Sequence, residues 1–202
     1  MKRAHLFALL TLLLLLSGCG GGGEEEETLP LSRLTSAQME AEVVCHLAEE
    51  VRSYTLSCDW TEAEARVEVL SPAELAGLAA QWDGETLSLR YQDLVLDVGS
   101  LTGTDLGPAA VLPSMAAAIR TGYPLERSRE DLGETPCLRL TYETEEGRTL
   151  YIIWFTDTSV PLRCEVERDG GLLYEVSVTA FSGTEEGEQD HALQPETDLG
   201  GD

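Results

Sequence analysis

The sequence predicts a mainly β fold, an antiparallel meander with a few short helices. Three observations carry that reading. Apolar and polar residues alternate at period two through most of the middle of the chain. Segments with this pattern follow one another closely, as in a meander rather than in βαβ units. The connectors hold turn residues: Asp83-Gly84, Glu146-Gly147 and Asp169-Gly170-Gly171.

The chain opens with Met1-Lys2-Arg3, then an apolar stretch from Leu6 to Leu16 broken only by Thr11, then Ser17, Gly18 and Cys19. A basic head, a short apolar run and a small-residue processing site make a secretory signal. A bilayer span needs about 20 apolar residues, so this run is too short for an ordinary one. Leu16-Ser17-Gly18-Cys19 resembles the lipobox of bacterial lipoproteins. The likeness implies a leader at residues 1–18, a diacylglycerol on Cys19, and a domain held at the extracytoplasmic face of a bacterial cell membrane. Residues 19–35 include Gly20 to Gly23 and Glu24 to Glu27, have nothing to bury, and read as a solvated tether. The folded unit is expected at 36–182, followed by an acidic, disordered tail at 183–202.

Within that unit the strands come in order. Met39, Val43, Cys45 and Leu47 alternate with Glu40, Glu42 and His46; Tyr54, Leu56, Cys58 and Trp60 alternate with Thr55, Ser57 and Asp59. A helix from Ala37 to Val51 competes for the first of these, because Ala and Glu are abundant there. Further strands are expected at Arg66–Leu70, Thr86–Tyr91, Leu94–Val98, Cys137–Thr144, Thr149–Phe155, Leu162–Glu167 and Leu172–Phe181. Leu150-Tyr-Ile-Ile-Trp-Phe155 is apolar at every position, so that strand must be covered on both faces.

Two helical pieces interrupt the strands. Ser71-Pro72-Ala73-Glu74 has the form of a capping box with proline at the first helical position, and predicts a short helix over Pro72–Ala80. Leu112, Met115, Ala116 and Ile119 stand at helical spacing, in a helix beginning near Pro113 and ending at Gly122. The stretch from Gly99 to Pro108 reads as a loop.

The formal net charge of −24 repels phosphate backbones, which excludes nucleic acid as a partner class. It also repels anionic headgroups, so membrane attachment must come from acyl chains. No G-x-S-x-G elbow, P-loop, dinucleotide fingerprint or H-E-x-x-H helix is present. Carboxylate pairs such as Glu49/Glu50 and Glu145/Glu146 are too frequent to mark a catalytic cleft. His46 falls on the polar face of its strand. The expectation is a protein without catalytic residues, metal or cofactor.

Apart from Cys19, four cysteines remain: Cys45, Cys58, Cys137 and Cys164. An even number in an exported chain suggests disulfides. A hairpin turning between Val51 and Arg52 sets Cys45 opposite Cys58 with Cβ atoms about 4.5–5.5 Å apart, near bridging distance. In a simple meander the strand at 149–155 separates Cys137 from Cys164 by about 10 Å. A bridge needs Cα atoms within about 7 Å, so that pair is carried only as a candidate.

Trp60, Trp82, Tyr91, Leu112, Met115, Ile119, Trp154 and Tyr174 have two readings. They are ordinary core between a sheet and the second helix, or they line an apolar pocket there.

Four segments carry a wider resemblance: Val67-Glu-Val-Leu-Ser-Pro-Ala-Glu-Leu-Ala-Gly-Leu78, Trp82-Asp-Gly-Glu-Thr-Leu-Ser-Leu89, Val160-Pro-Leu-Arg-Cys-Glu-Val-Glu-Arg-Asp-Gly170 and Glu175-Val-Ser-Val-Thr-Ala-Phe181. Together they are similar to the outer-membrane lipoprotein carriers (the LolA/LolB family) and the spore-germination lipoprotein GerS, over about residues 36–182. The resemblance implies a strongly curved antiparallel sheet, an incomplete barrel closed by a helical lid. Its concavity would hold a lipid or the acyl chains of a lipoprotein. In the germination branch the fold instead serves as a protein partner for a cortex-modifying enzyme, so a cell-envelope protein partner is the alternative. The lipidated cysteine departs from the soluble carrier, and the other four cysteines are outside its pattern. Arg90 and Arg120 are the candidates by position for the carriers' lid arginine.

Overall fold

The computed structural model describes residues 34–47, 50–100, 107–143 and 149–185. The expected leader, Cys19, the tether, nearly all of the tail, the Glu146-Gly147 turn and most of the 99–108 loop lie outside them. Eleven antiparallel strands form one sheet: β1 (Leu34–Leu47), β2 (Glu50–Thr61), β3 (Ala65–Ser71), β4 (Leu78–Trp82), β5 (Thr86–Tyr91), β6 (Leu94–Ser100), β7 (Pro124–Leu132), β8 (Thr135–Glu143), β9 (Thr149–Phe155), β10 (Pro161–Arg168) and β11 (Gly171–Glu185). The spatial order is β6-β5-β4-β3-β2-β1-β11-β10-β9-β8-β7, so the first and last strands, β1 and β11, pair at the centre and β6 and β7 form the two edges. The sheet does not close into a barrel.

Among the described residues one α-helix, α1 (Val111–Thr121), packs against β2, β3 and β8. Six strand spacings lie between β3 and β8, about 29 Å on a flat sheet. Eleven helical residues span about 16 Å, so the sheet curls around the helix. Register shifts on several ladders, including those between Glu40/Ala41 and Val166/Glu167, supply local bends.

Period-two alternation sets the faces. Ala41, Val43, Leu56, Cys58, Val67, Leu140, Ile153, Cys164, Val166 and Val176 point into one core with the helix. A smaller cluster of Cys137, Ile152 and Trp154 covers β9 on the outer face. Strand β9 is therefore buried on both sides, as its sequence requires. Asp169-Gly170, with φ of +52° and +78°, makes the two-residue β10–β11 turn. The Asp83 carboxylate accepts from the Glu85 and Thr86 amides at the β4–β5 turn, and those bonds hold its pKa below the usual range.

Four expectations are corrected. The β1–β2 hairpin closes on Leu47↔Glu50, around residues 48–49, rather than between Val51 and Arg52. Cys45 therefore faces Arg52 and Cys58 faces Met39, and the Cys45–Cys58 bridge does not form. Cys137 and Cys164 lie two strands apart on opposite faces of the sheet, which rules out that bridge as well; all four are buried free thiols. The Pro72–Ala80 helix is a single 3-10 turn at Ala73–Leu75, without a side-chain cap, cut short by Gly77 at φ +86°. Beyond it Leu78, Ala80 and Trp82 alternate into β4. Finally, β7 was not anticipated, because its nine residues are mostly charged and it has no second strand to cover its outer edge.

Candidate ligand cavity beneath the helix

Helix α1 presents Leu112, Met115, Ala116 and Ile119 to the sheet at spacings of three and four, all buried. Complete burial of each large side chain contributes roughly 1.5–3 kcal/mol. Ser114 Oγ donates to the Val111 carbonyl at 2.9 Å, which satisfies a buried hydroxyl within the helix. At the C-terminal end, Arg120 Nη1 donates to the Glu62 carbonyl in the β2–β3 turn at 2.7 Å. The same guanidinium lies 5.6 Å from the centre of the Trp60 ring. Gly122 follows at once: a Cβ there would collide with the Ala118 carbonyl oxygen and stand 3.0 Å from the Tyr142 ring. Arg120 and Gly122 thus fasten one end of the helix.

Between helix and sheet lies an apolar cavity of about 20 Å³, lined by Met39, Cys58, Trp60, Met115, Ile119 and Phe181 among others. That is room for about one water, whereas pockets for small molecules hold roughly 300–1,000 Å³. A second hollow of about 340 Å³ lies at the ends of β1, β2 and β11, rimmed by Ser36, Gln38, Asp59, Thr61, Ser182 and Thr184. Ala37 and Trp60 belong to both. The polar side chains of the hollow alternate with Met39, Cys58 and Phe181 along the same strands, so they stand on the opposite face of the sheet from the cavity, and the Trp60 indole belongs to the apolar interior. Its Nε1 is buried and makes no hydrogen bond.

Of the eight aromatic and apolar candidates, Trp60, Met115 and Ile119 line the cavity, and Leu112 is buried on the same helix. Trp82 is buried further along the core, and Tyr174 packs on β11 beside Cys45. Tyr91 is half-exposed at the end of β5. Trp154 is corrected: it faces outward, because Ile153 and Phe155 take the core side of β9. Burial pushes the Cys58 thiol up to about 12, and raises the Tyr174 phenol and the Cys164 thiol as well. The one thiol at the cavity is therefore protonated at neutral pH, a poor nucleophile. The arrangement can sort and bury apolar groups; it holds no paired acid and base. Of the two arginines, Arg120 lies in the last turn of α1 and reaches the β2–β3 turn, and Arg90 is exposed on β5.

The outer face carries a feature that strand-by-strand reading missed. The Trp154 ring lies between the guanidinium groups of Arg139 and Arg163, at 5.7 and 5.9 Å. Its indole N–H donates to the Glu130 carboxylate. Arg163 also donates to Glu165 and Glu175, both at 2.8 Å, and His46 Nε2 lies 2.9 Å from Glu175. This strip ties β7 to β1 across the outer surface. The signal was present as one polar or aromatic residue per strand, but only the register aligns them.

No protein-family model matches the chain, and no curated protein matches it in sequence. Solved structures do match in fold. An uncharacterized conserved protein from Thermus thermophilus is 14% identical, with TM-score 0.46 over 82% of this chain and 89% of that one. The LolA superfamily protein NE2245 from Nitrosomonas europaea is 11% identical, with TM-score 0.44 over 76% and 88%. A structure of the CwlD amidase from Clostridioides difficile in complex with the GerS lipoprotein also matches, at 16% identity and TM-score 0.35 over 79% and 89%. What this chain binds has to be argued from its own residues.

Proposed function

We propose that this chain is a non-enzymatic lipoprotein, anchored through Cys19 at the extracytoplasmic face of a bacterial cell membrane, that binds an apolar ligand under α1. The ligand class is the acyl part of a lipid or lipoprotein. One observation carries the reading: a wholly apolar cavity, lined by Met39, Cys58, Trp60 and Phe181, lies beneath a helix clasped at one end by Arg120. Release of that clasp lets α1 swing away, and chains then replace the helix stripe against Met39, Cys58 and Phe181. Burial at about 25 cal/mol per Å² drives entry without choosing a chain, so selectivity comes from the shape of the cavity.

The test is native mass spectrometry of the Cys19→Ser chain, purified without detergent. A lipid adduct, restored by incubation with a fatty acid after stripping, is the expected result. A chain that emerges empty and stays empty refutes ligand binding. The tight interior favours a second reading, in which the half-barrel is solid and docks a cell-envelope or spore-cortex enzyme. Carboxylate-directed crosslinking in cells would then capture a defined protein at stoichiometry, because the only lysine is Lys2.

A further inference from the structure

The two edges of the sheet are built differently. Strand β7 starts at Pro124 and carries Glu126, Arg127, Arg129, Glu130 and Asp131, the charged and proline-bearing edge that resists pairing. Strand β6 is its opposite: Leu94, Val95, Leu96 and Val98 are exposed by 73, 62, 62 and 46%, and among the described residues nothing pairs with its outer edge. Apolar residues are exposed on both of its faces. We infer that β6 is a self-association edge, pairing antiparallel with β6 of a second copy across a two-fold axis at Leu96.

The register follows from charge. A continuous sheet that keeps both core faces on the same side requires partners of equal parity, so the two-fold falls on Val95, Leu96 or Asp97. Centring on Val95 sets Asp93 opposite Asp97 of the second copy; centring on Asp97 sets that residue against itself. Like charges directly opposed are destabilising. Centring on Leu96 opposes no charges: Leu94 meets Val98, Leu96 meets Leu96, and Val95 meets Asp97. Arg90 stands beside Val95 on β5 and has no ion-pair partner among the described residues. Two strand spacings, about 9.6 Å, then separate it from Asp97 of the second copy on the same face, within reach of an extended arginine.

Backbone geometry agrees. The β5–β6 hairpin closes on Tyr91↔Leu94 around a two-residue turn with Gln92 at φ +54°. Such a closing pair exchanges both of its hydrogen bonds, and so does Leu89↔Leu96, leaving the amides and carbonyls of Val95 and Asp97 aimed outward. Those are the groups that the Leu96-centred register pairs. A seam of one strand per copy, flanked by Leu94, Val95, Leu96 and Val98, is smaller than the roughly 1,200–2,000 Å² of a standard stable interface, so the pairing is weak. The association is therefore concentration-dependent, and shared confinement at a membrane strengthens it.

The test is disulfide trapping in cells expressing the full chain, with the parent and a β7-edge Ser128→Cys variant as blanks. In the proposed register the two copies of residue 96 form a non-hydrogen-bonded pair with Cα atoms about 4.5 Å apart, inside bridging range. Leu96→Cys is expected to give a covalent homodimer at least tenfold above both blanks. Val95→Cys, whose copies are offset, is expected to stay at blank level. Adding Arg90→Glu to Leu96→Cys is expected to lower trapping several-fold. Trapping of Leu96→Cys at blank level, trapping that favours Val95→Cys, or a crosslink to a different protein each overturns the proposal. All these positions are exposed or half-buried, so the variants fold, and the outcome does not depend on whether α1 covers a ligand.

Discussion

Replacing Arg120 with alanine tests the clasp on α1. The side chain makes one charge-assisted hydrogen bond to the Glu62 carbonyl and one cation–π contact with Trp60. Half-exposed and open to water, these are worth together about 1–2 kcal/mol, the cation–π part contributing about 0.5–1. Both contacts exist only while the helix is seated, so their loss raises the population with α1 displaced by about 5–30-fold. Hydrogen exchange by mass spectrometry reads this directly, since local opening sets amide exchange in the helix. Peptides covering Val111–Thr121 are expected to exchange 5–30-fold faster in Arg120→Ala, while those covering β1 and β11 keep the parent rate. Arg90→Ala, on β5 away from the helix, is the control and leaves α1 unchanged. Helix protection equal to the parent's, or an increase spread equally over the central strands, would refute the idea that Arg120 holds a separately moving element.

Gly122→Ala is expected to lower the urea midpoint by an amount equivalent to about 1–3 kcal/mol, because the new methyl meets the fixed Ala118 carbonyl well inside contact distance. Trp154→Ala is expected to cost about 3–5 kcal/mol while fatty-acid affinity of the folded protein is unchanged, since this indole packs outside the cavity; equilibrium unfolding and a displacement titration check the two halves. All four cysteines downstream of Cys19 are expected to resist a thiol reagent in the native chain and to react fully in denaturant without a reductant, which separates free thiols from bridges. With the Cys58 pKa raised from 9.0 to about 12, the unfolded chain releases its proton first. Stability is thus complete below pH 9 and falls between 9 and 12, and Cys58→Ala is expected to flatten the fall in urea midpoint across that window.

Strands with clean alternation could be read directly: Met39 to Cys45 and Leu56 to Trp60 each buried the face that their pattern named. Helix α1 was legible from the spacing of Leu112, Met115, Ala116 and Ile119 and from its stop at Gly122. The β1–β2 register was not, because alternation fixes which face a residue takes and leaves a slip by an even number of residues almost free. Moving the turn from 51–52 to 48–49 changed no face, yet it separated Cys45 from Cys58. The Pro72–Ala80 segment misled for another reason: a start signal is local, and the sheet claimed Leu78, Ala80 and Trp82 for β4. At the candidate site, the helix stripe and Trp60 were legible by composition. The Arg120 clasp and the sandwich around Trp154 were not, since each joins residues that only tertiary pairing brings together.

A photoreactive fatty acid, incubated with the Cys19→Ser chain and mapped by peptide mass spectrometry, asks where the ligand sits. Labels concentrated on 107–122 and on the β1–β2 peptides that hold Met39, Cys58 and Trp60, and stronger in Arg120→Ala, are the predicted result. Labels confined to the β5–β6 edge or the outer face, or a chain that takes no label, would contradict binding beneath α1.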